Sequence, residues 1–163
     1  PEIWDRNART GLLLTDEDMS PGFIFNTGLK PVTSAAMLTT ATRSPLQVST
    51  IVADFASAAM DNCLERYSAS LSENAGLLPD LEAVEAWDKT AGLVKIVSPS
   101  APVGPDADAL SELDRRLASQ GIRLVRALRN FDAAAWPHAT HGFFRFKEKI
   151  PSLVGQLKGL KAA

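Results

Sequence analysis

The stretch SPLQVSTIVADFASAAMDNCLERYSASLSE, residues 44–73, carries the strongest secondary-structure pattern of the chain and predicts one long helix. Ser44 and Gln47 have the spacing of a capping box, and Pro45 occupies the first helical position, where its missing N–H costs nothing. Behind this cap, apolar residues recur at helical spacing on one broad face: Val48, Ile51, Val52, Phe55, Ala58, Ala59, Met60, Cys63, Leu64, Tyr67 and Leu71. A helix of about 28 residues would be about 40 Å long, which is typical of the central helix of an all-α domain.

A shorter helix is predicted after this stretch, opened by Leu77-Leu78-Pro79-Asp80. Its buried side would be formed by Leu81, Val84 and Trp87, and Gly92 would end it. The β-branched run at residues 93–97 then indicates either a lone strand or a buried connection, because the only internal strand partner would be residues 22–26.

Two longer helices are predicted in the last third of the chain. One covers residues 106–131 and contains Gly121, which weakens a helix by about 1 kcal/mol relative to alanine. The other covers residues 140–161, where Pro151 should bend or split it. The fold class predicted from these patterns is therefore all-α, a bundle of about four helices around a long central helix.

Residues 1–43 lack a helical pattern and are predicted to form an extended N-terminal arm, followed by a helical domain over residues 44–163. Pro21, Gly22, Gly28 and Pro31 interrupt any continuous helix in the arm. Its apolar side chains still need a partner, because burying each large one contributes about 1.5–3 kcal/mol. We expect four residues of the arm to contact another chain: Phe23, Ile24, Phe25 and Val32.

The composition is that of an ordinary globular protein. Hydrophobic residues make up 45% and charged residues 22% of the 163 positions. No apolar run approaches the roughly 18 residues needed to cross a bilayer, and no secretory signal is visible. With a single cysteine, Cys63, no internal disulfide can form. These features lead us to expect a protein of the cytoplasm or of an intracellular particle.

Charge is unevenly distributed along the chain. Residues 111–163 hold ten Lys and Arg against four Asp and Glu, whereas residues 1–110 hold seven against fifteen. Such asymmetry is typical of a nucleic-acid face or of subunits that meet through opposite charges, and it is equally compatible with solvated helix faces.

A basic helix is the candidate nucleic-acid site. It is formed by Arg115, Arg116, Arg123, Arg126 and Arg129, and the cations Arg145, Lys147, Lys149, Lys158 and Lys161 follow on the next helix. These side chains could neutralise several phosphates. The exposed aromatic residues of a single-strand platform are missing from this prediction, because Phe143, Phe144 and Phe146 are assigned to the core.

The candidate metal site is the pair His138 and His141, which share a helix face if both are helical. A metal would need at least one more ligand, such as Asp132 or Glu148. Two histidines near a helix start are more often capping or surface residues, and we expect no cofactor. The acidic clusters at residues 16–18 and 106–108 lack the spacing of a calcium loop and are interpreted as solvated or helix-end charges.

No catalytic motif is present in the sequence. The function we favour is therefore a non-catalytic structural subunit that assembles with itself or with other subunits through the arm and its charged faces. The first alternative is a nucleic-acid-binding coat or packaging subunit. The second is a small metal- or ligand-binding helical bundle.

Overall fold

The computed structural model describes residues 8–156 of the chain. Its strands are β1 (Thr10–Thr15), β2 (Thr33–Met37), β3 (Glu73–Leu78), β4 (Lys95–Pro99) and β5 (Arg123–Ala127). Its α-helices are α1 (Gly22–Phe25), α2 (Thr50–Arg66), α3 (Ser68–Leu71), α4 (Leu81–Ala91), α5 (Pro105–Ala118), α6 (Asn130–Ala135), α7 (Phe143–Lys147) and α8 (Ile150–Gly155). Short 3-10 helices lie at Thr40–Thr42 and Trp136–His138.

The five strands form one parallel sheet in the order β3-β2-β1-β4-β5, with β1 at its centre. In the register of this sheet, Leu12 lies beside Ser34 of β2 on one side and beside Val97 of β4 on the other. Strands and helices alternate along the chain, as parallel pairing requires. The fold is therefore an α/β, Rossmann-like arrangement.

Both faces of the sheet are covered by helices. Leu12 and Leu14 belong to the core beneath the first three helices, whereas Leu13 belongs to the core beneath α4 and α5. The first core includes Ile24, Met60, Cys63, Leu64 and Leu71, and the second includes Val84, Trp87, Leu110, Leu113 and Leu117. All three leucines of β1 are fully buried, because a parallel strand covered on both faces is apolar throughout instead of alternating.

The predicted all-α bundle is wrong, and the predicted central helix shows why. Residues 44–73 contain a helix of only 17 residues, α2, whose cap position is Ser49 and not Ser44. The short α3 follows α2, and Glu73 already begins strand β3. One continuous apolar pattern therefore spans a turn, two helices and the start of a strand.

The apolar face predicted for this helix is also wrong. Phe55 is 76% exposed, and Ile51 and Val52 are exposed as well. Burial falls instead on Met60 and on Cys63 with its neighbour Leu64, in the second half of α2. Because apolar residues surround the first half of this helix, periodicity alone could not select the face that packs on the sheet.

The predicted helix over residues 106–131 is divided between α5 and β5. Gly121 adopts a positive φ of 78° and turns the chain from the helix into the strand, so it is not an internal kink. The predicted last helix is likewise divided into α7 and α8, and Pro151 lies in the first turn of α8. Residues 157–161 of that prediction lie outside the described part of the chain.

The predicted extended arm contains the two strands at the middle of the sheet, β1 and β2. Residues 22–26, named as a possible strand, contain the short helix α1. Residues 1–7 of the arm lie outside the described residues.

The predictions for residues 80–97 are confirmed in large part. The helix α4 runs from Leu81 to Ala91, and Gly92 ends it with a left-handed conformation. The β-branched run overlaps strand β4 and finds partners on both sides in β1 and β5.

The chain falls into two compact units, divided between Ala127 and Leu128. The first unit contains the whole sheet, and the second contains α6, α7 and α8. None of the helices among the described residues is long and apolar enough to cross a membrane.

Candidate functional site

The carboxyl ends of the strands bring together polar residues from three separate connections. Asp16 directly follows β1, Thr39 and Thr40 follow β2, and Asp106 lies in the first turn of α5 after β4. The strand order changes direction between β1 and β4, so the loops that leave these neighbours pass to opposite faces of the sheet. Parallel sheets bind ligands in the crevice that such a divergence opens.

Asp106 is the buried centre of this group, with 1% of its surface exposed. Its Oδ1 accepts a short hydrogen bond from the Thr39 hydroxyl, and its Oδ2 accepts one from the Glu17 backbone N–H at 2.9 Å. Burial raises the pKa of Asp106 above its ordinary value, and the neighbouring charge of Asp16 adds to the rise, while the Thr39 hydrogen bond opposes it. The carboxyl group thus joins the connections after β1, β2 and β4.

Asp16 is held by more donors than Asp106. Its Oδ1 accepts from the Thr39 N–H at 2.9 Å, and its Oδ2 accepts from the Thr40 hydroxyl at 2.6 Å. Burial alone would raise the pKa of Asp16, but these hydrogen bonds and the charge of Arg43 outweigh it, so this pKa lies below its ordinary value. Asp16 is therefore the more acidic member of the pair.

Arg43 closes the group from the solvent side. Its Nη2 lies 2.9 Å from Glu17 Oε1, 3.2 Å from Asp16 Oδ2 and 4.0 Å from Asp106 Oδ2. The side chain remains 40% exposed, and all three of these contacts are made through one of its three guanidinium nitrogens. A guanidinium carries five N–H donors, so Arg43 can also bind an acceptor from solvent.

A cavity of about 220 Å³ opens beside this group, and we call it the edge cavity. One wall is polar and the other is apolar, and the lining consists of Asp16, Thr40, Arg43, Met19, Val52, Phe55, Ala56 and Ala59. Most of the apolar lining comes from α2. Its Phe55 is 76% exposed, and a bound ligand would cover this ring. The edge cavity can thus accept a molecule that is apolar at one end and polar at the other.

A larger cavity, of about 500 Å³, lies between α4 and the strands β2 and β3. Two of its polar lining side chains, Arg9 and Thr33, already have partners within the protein. The Arg9 guanidinium donates to the Ala91 carbonyl at 2.7 and 3.1 Å, and the Thr33 hydroxyl donates to the Glu73 carbonyl at 3.1 Å. Because Thr33 and Glu73 begin their strands, this cavity also includes the amino ends of the sheet. We therefore regard the smaller edge cavity as the better candidate.

The five arginines of the predicted basic helix are distributed over several elements. Arg115 and Arg116 lie on α5 and are both bound to Glu112, at 2.6 and 2.8 Å. Arg123 and Arg126 lie on β5, where residues three apart leave opposite faces of a strand. Arg126 donates to Ser111 at 3.0 Å, and Arg129 precedes α6. The structure therefore does not bring these five side chains onto one helical face.

The two histidines of the predicted metal site do not share a helix. His138 ends a 3-10 helix, and His141 lies in the following turn, where its Nδ1 is 2.9 Å from the Thr140 hydroxyl. Across residues 8–156, no group of three or more His, Cys, Asp or Glu is arranged to hold a metal ion.

The predicted interface residues mostly pack within their own chain. Ile24 is fully buried in the first core, and Phe23 and Phe25 pack against that core. Val32 is 36% exposed. Of the other predicted cations, Lys158 and Lys161 lie outside the described residues.

The sequence contained a signal for the edge site that we interpreted differently. Leu12, Leu13 and Leu14 form a short, wholly apolar run that is followed, after Thr15, by an acid, Asp16. This order is typical of a buried parallel strand that ends at a polar site. Asp106 gives no such signal, because it lies seven residues after the end of β4, in the first turn of α5.

Comparison with known proteins adds no identification, since no family model and no curated protein sequence matches the chain.

Proposed function

We propose that the first unit is a ligand-binding α/β domain, which holds a small organic anion in the edge cavity. The observation that carries this proposal is the composition of the cavity, in which Arg43 faces an apolar wall at the carboxyl ends of the strands. Ligand sites commonly combine apolar walls with a few fixed polar groups.

The anionic group of the ligand would bind Arg43, whose side chain is 40% exposed. The apolar body would lie against Val52, Phe55 and Ala59 of α2. Because sites for drug-sized ligands usually have volumes of about 300–1,000 Å³, a cavity of about 220 Å³ indicates a smaller ligand or one that extends into solvent.

An aromatic sulfonate has the required chemistry, so anilinonaphthalene sulfonate is a suitable fluorescent probe. We expect saturable binding by the intact chain, and Arg43→Met should weaken it about tenfold because a charge-assisted hydrogen bond is lost. Phe55→Ala should weaken it about fivefold through lost apolar contact. Both variants should keep the helix content of the parent, and Phe55→Ala should keep its thermal midpoint, whereas Arg43→Met should lower the midpoint because Asp16, Glu17 and Asp106 lose their ion pair.

Two substitutions outside the cavity serve as matched controls. Arg115→Met removes an arginine that is paired with Glu112, and Val103→Ala shortens a fully exposed apolar side chain. Neither should change probe affinity. Equal affinities for Arg43→Met and Arg115→Met, or no binding by the parent, would show that the edge cavity is not the site.

We propose self-assembly as a second candidate function, with the contact on α2 and not on the predicted arm. Its support is the exposure of Ile51 on α2 and of Leu46 before it, neither of which lines the edge cavity. Sedimentation velocity tests this candidate, because Ile51→Asp should abolish association while leaving probe binding intact. A parent chain that sediments as a monomer at high concentration excludes it.

A further inference from the structure

The second unit presents aromatic side chains to solvent. Phe143 is 64% exposed and Phe144 79% exposed, although the sequence pattern had assigned both to a core. Phe131 and Trp136 are each exposed by more than two fifths. A surface of this kind on one short segment needs a functional explanation.

Basic side chains alternate with these rings. The run Phe143-Phe144-Arg145-Phe146-Lys147-Glu148-Lys149 contains three cations and one acid, and all three cations are exposed. Among residues 8–156, none forms an ion pair with any of the three. This distinguishes them from Arg115 and Arg116, whose guanidinium groups are bound to Glu112.

The rings are arranged so that flat faces stay available. Phe143 and Phe144 meet edge to face, with ring centroids 5.8 Å apart and planes at 67°. In this geometry one ring covers at most one face of the other, and both rings remain more than three fifths exposed.

Aromatic faces and unpaired cations together are what a single nucleic-acid strand requires. Unpaired bases stack on the rings, and phosphates are neutralised by the cations between them. Duplex recognition through the major groove would need a longer helix than α7, which has five residues. The same shortness argues against the long amphipathic helices that typically bind membrane surfaces.

We propose that Phe143, Phe144, Arg145 and Lys147, which we call the aromatic–basic surface, bind single-stranded nucleic acid with little sequence preference. The interaction is independent of the edge cavity, since the two lie in different units.

Fluorescence anisotropy of a labelled oligothymidine of about 12 nucleotides with the full chain tests this inference. Phe144→Ala should lower affinity about tenfold, because one stacking contact is lost. Lys147→Ala should reduce the slope of log affinity against log salt by about 0.7. Circular dichroism checks that both variants retain the parent's helix signal.

Matched controls come from the first unit. Val103→Ala shortens a fully exposed apolar side chain outside the edge cavity, and Arg115→Ala removes an exposed cation that is already paired. Both should bind the oligonucleotide as the parent does. The proposal is overturned if the parent does not bind at low salt, if Val103→Ala loses as much affinity as Phe144→Ala, or if anionic vesicles bind and the oligonucleotide does not.

Discussion

Two buried aspartates on neighbouring helices, Asp106 on α5 and Asp88 on α4, have opposite surroundings. Each has only 1% of its surface exposed. Asp106 accepts hydrogen bonds from Thr39 and from Glu17. Neither oxygen of Asp88 has a hydrogen-bond partner among the described residues. The Asp106 carboxyl group therefore connects the loops around it, whereas the Asp88 carboxyl group makes no such connection among the described residues.

The difference follows from where each residue lies. Asp106 begins a helix at the carboxyl edge of the sheet, where loops supply free N–H and hydroxyl donors. Asp88 lies in the last part of α4, whose backbone N–H groups are already used within the helix. Burial raises the pKa of Asp88 to about 6, with Lys89 opposing and Glu85 adding to the rise. The cost of desolvation is thus partly offset by hydrogen bonds at Asp106, whereas Asp88 has no such hydrogen bonds among the described residues.

The largest effect is expected for Asp106→Ala. Removing the carboxyl group leaves the Thr39 hydroxyl and the Glu17 N–H without an acceptor, so we expect a loss of about 3–5 kcal/mol in the free energy of unfolding. Urea denaturation measures it. Asp106→Asn is the matched control, because it keeps a carbonyl acceptor and should lose less. If Asp106→Ala is as stable as the parent, Asp106 does not organise the loops.

We expect Asp88→Asn to increase the free energy of unfolding at neutral pH. A pKa raised from 3.8 to about 6 means that the folded state binds the proton more tightly. The free energy of unfolding therefore falls as pH rises from about 3.8 to about 6, and it stays lower above that range. At pH 7 the ionised carboxylate costs about 2–3 kcal/mol, which asparagine avoids.

Thermal or urea unfolding at several pH values measures this gain. The difference between Asp88→Asn and the parent should be largest at neutral pH and should shrink towards pH 3.8. Asp108→Asn changes an aspartate for which burial is incomplete and serves as the control. A pH-independent difference at Asp88 would mean that its carboxyl group is not the titrating group.

The sequence pattern predicted α4 correctly, but it predicted too long a helix around α2 and a helix where β5 lies. Around α4, Asp80 accepts from the Ala83 N–H and Gly92 takes the left-handed conformation, so local signals suffice. In β5, the pattern of leucines continued smoothly from α5, and only Gly121 marked the change of structure. Both short apolar strands and buried helix segments produce such runs, and periodicity does not separate them.

The edge site was beyond prediction because its members are far apart in sequence. Asp16 and Asp106 were each recognised as part of an acidic cluster, but 90 positions separate them. Only the strand order, with β1 beside β4, brings them together. An all-α prediction contains no sheet, so it could not place the ends of these two strands side by side.

The smallest effect in the comparison is expected for Thr39→Val, which keeps the shape of the side chain and removes its hydroxyl. Asp106 then keeps only the hydrogen bond from the Glu17 N–H among those described above, and it becomes more like Asp88, whose oxygens have no hydrogen-bond partner among the described residues. We expect a loss of about 1–2 kcal/mol at neutral pH. Because the Thr39 hydrogen bond lowers the pKa of Asp106, the variant should raise that pKa further.

The sign of the pH dependence follows from that change. A raised pKa makes the folded state bind its proton more tightly, so the loss in Thr39→Val should be fully present above the folded pKa of Asp106 and should diminish as the pH falls through it. Urea denaturation at neutral and acidic pH measures the trend, and Thr42→Val, whose hydroxyl donates to the Thr39 carbonyl and not to Asp106, is the control. A loss that grows towards acidic pH would show that Thr39 stabilises the protonated form of Asp106, and the contrast with Asp88 would then rest on the Glu17 N–H alone.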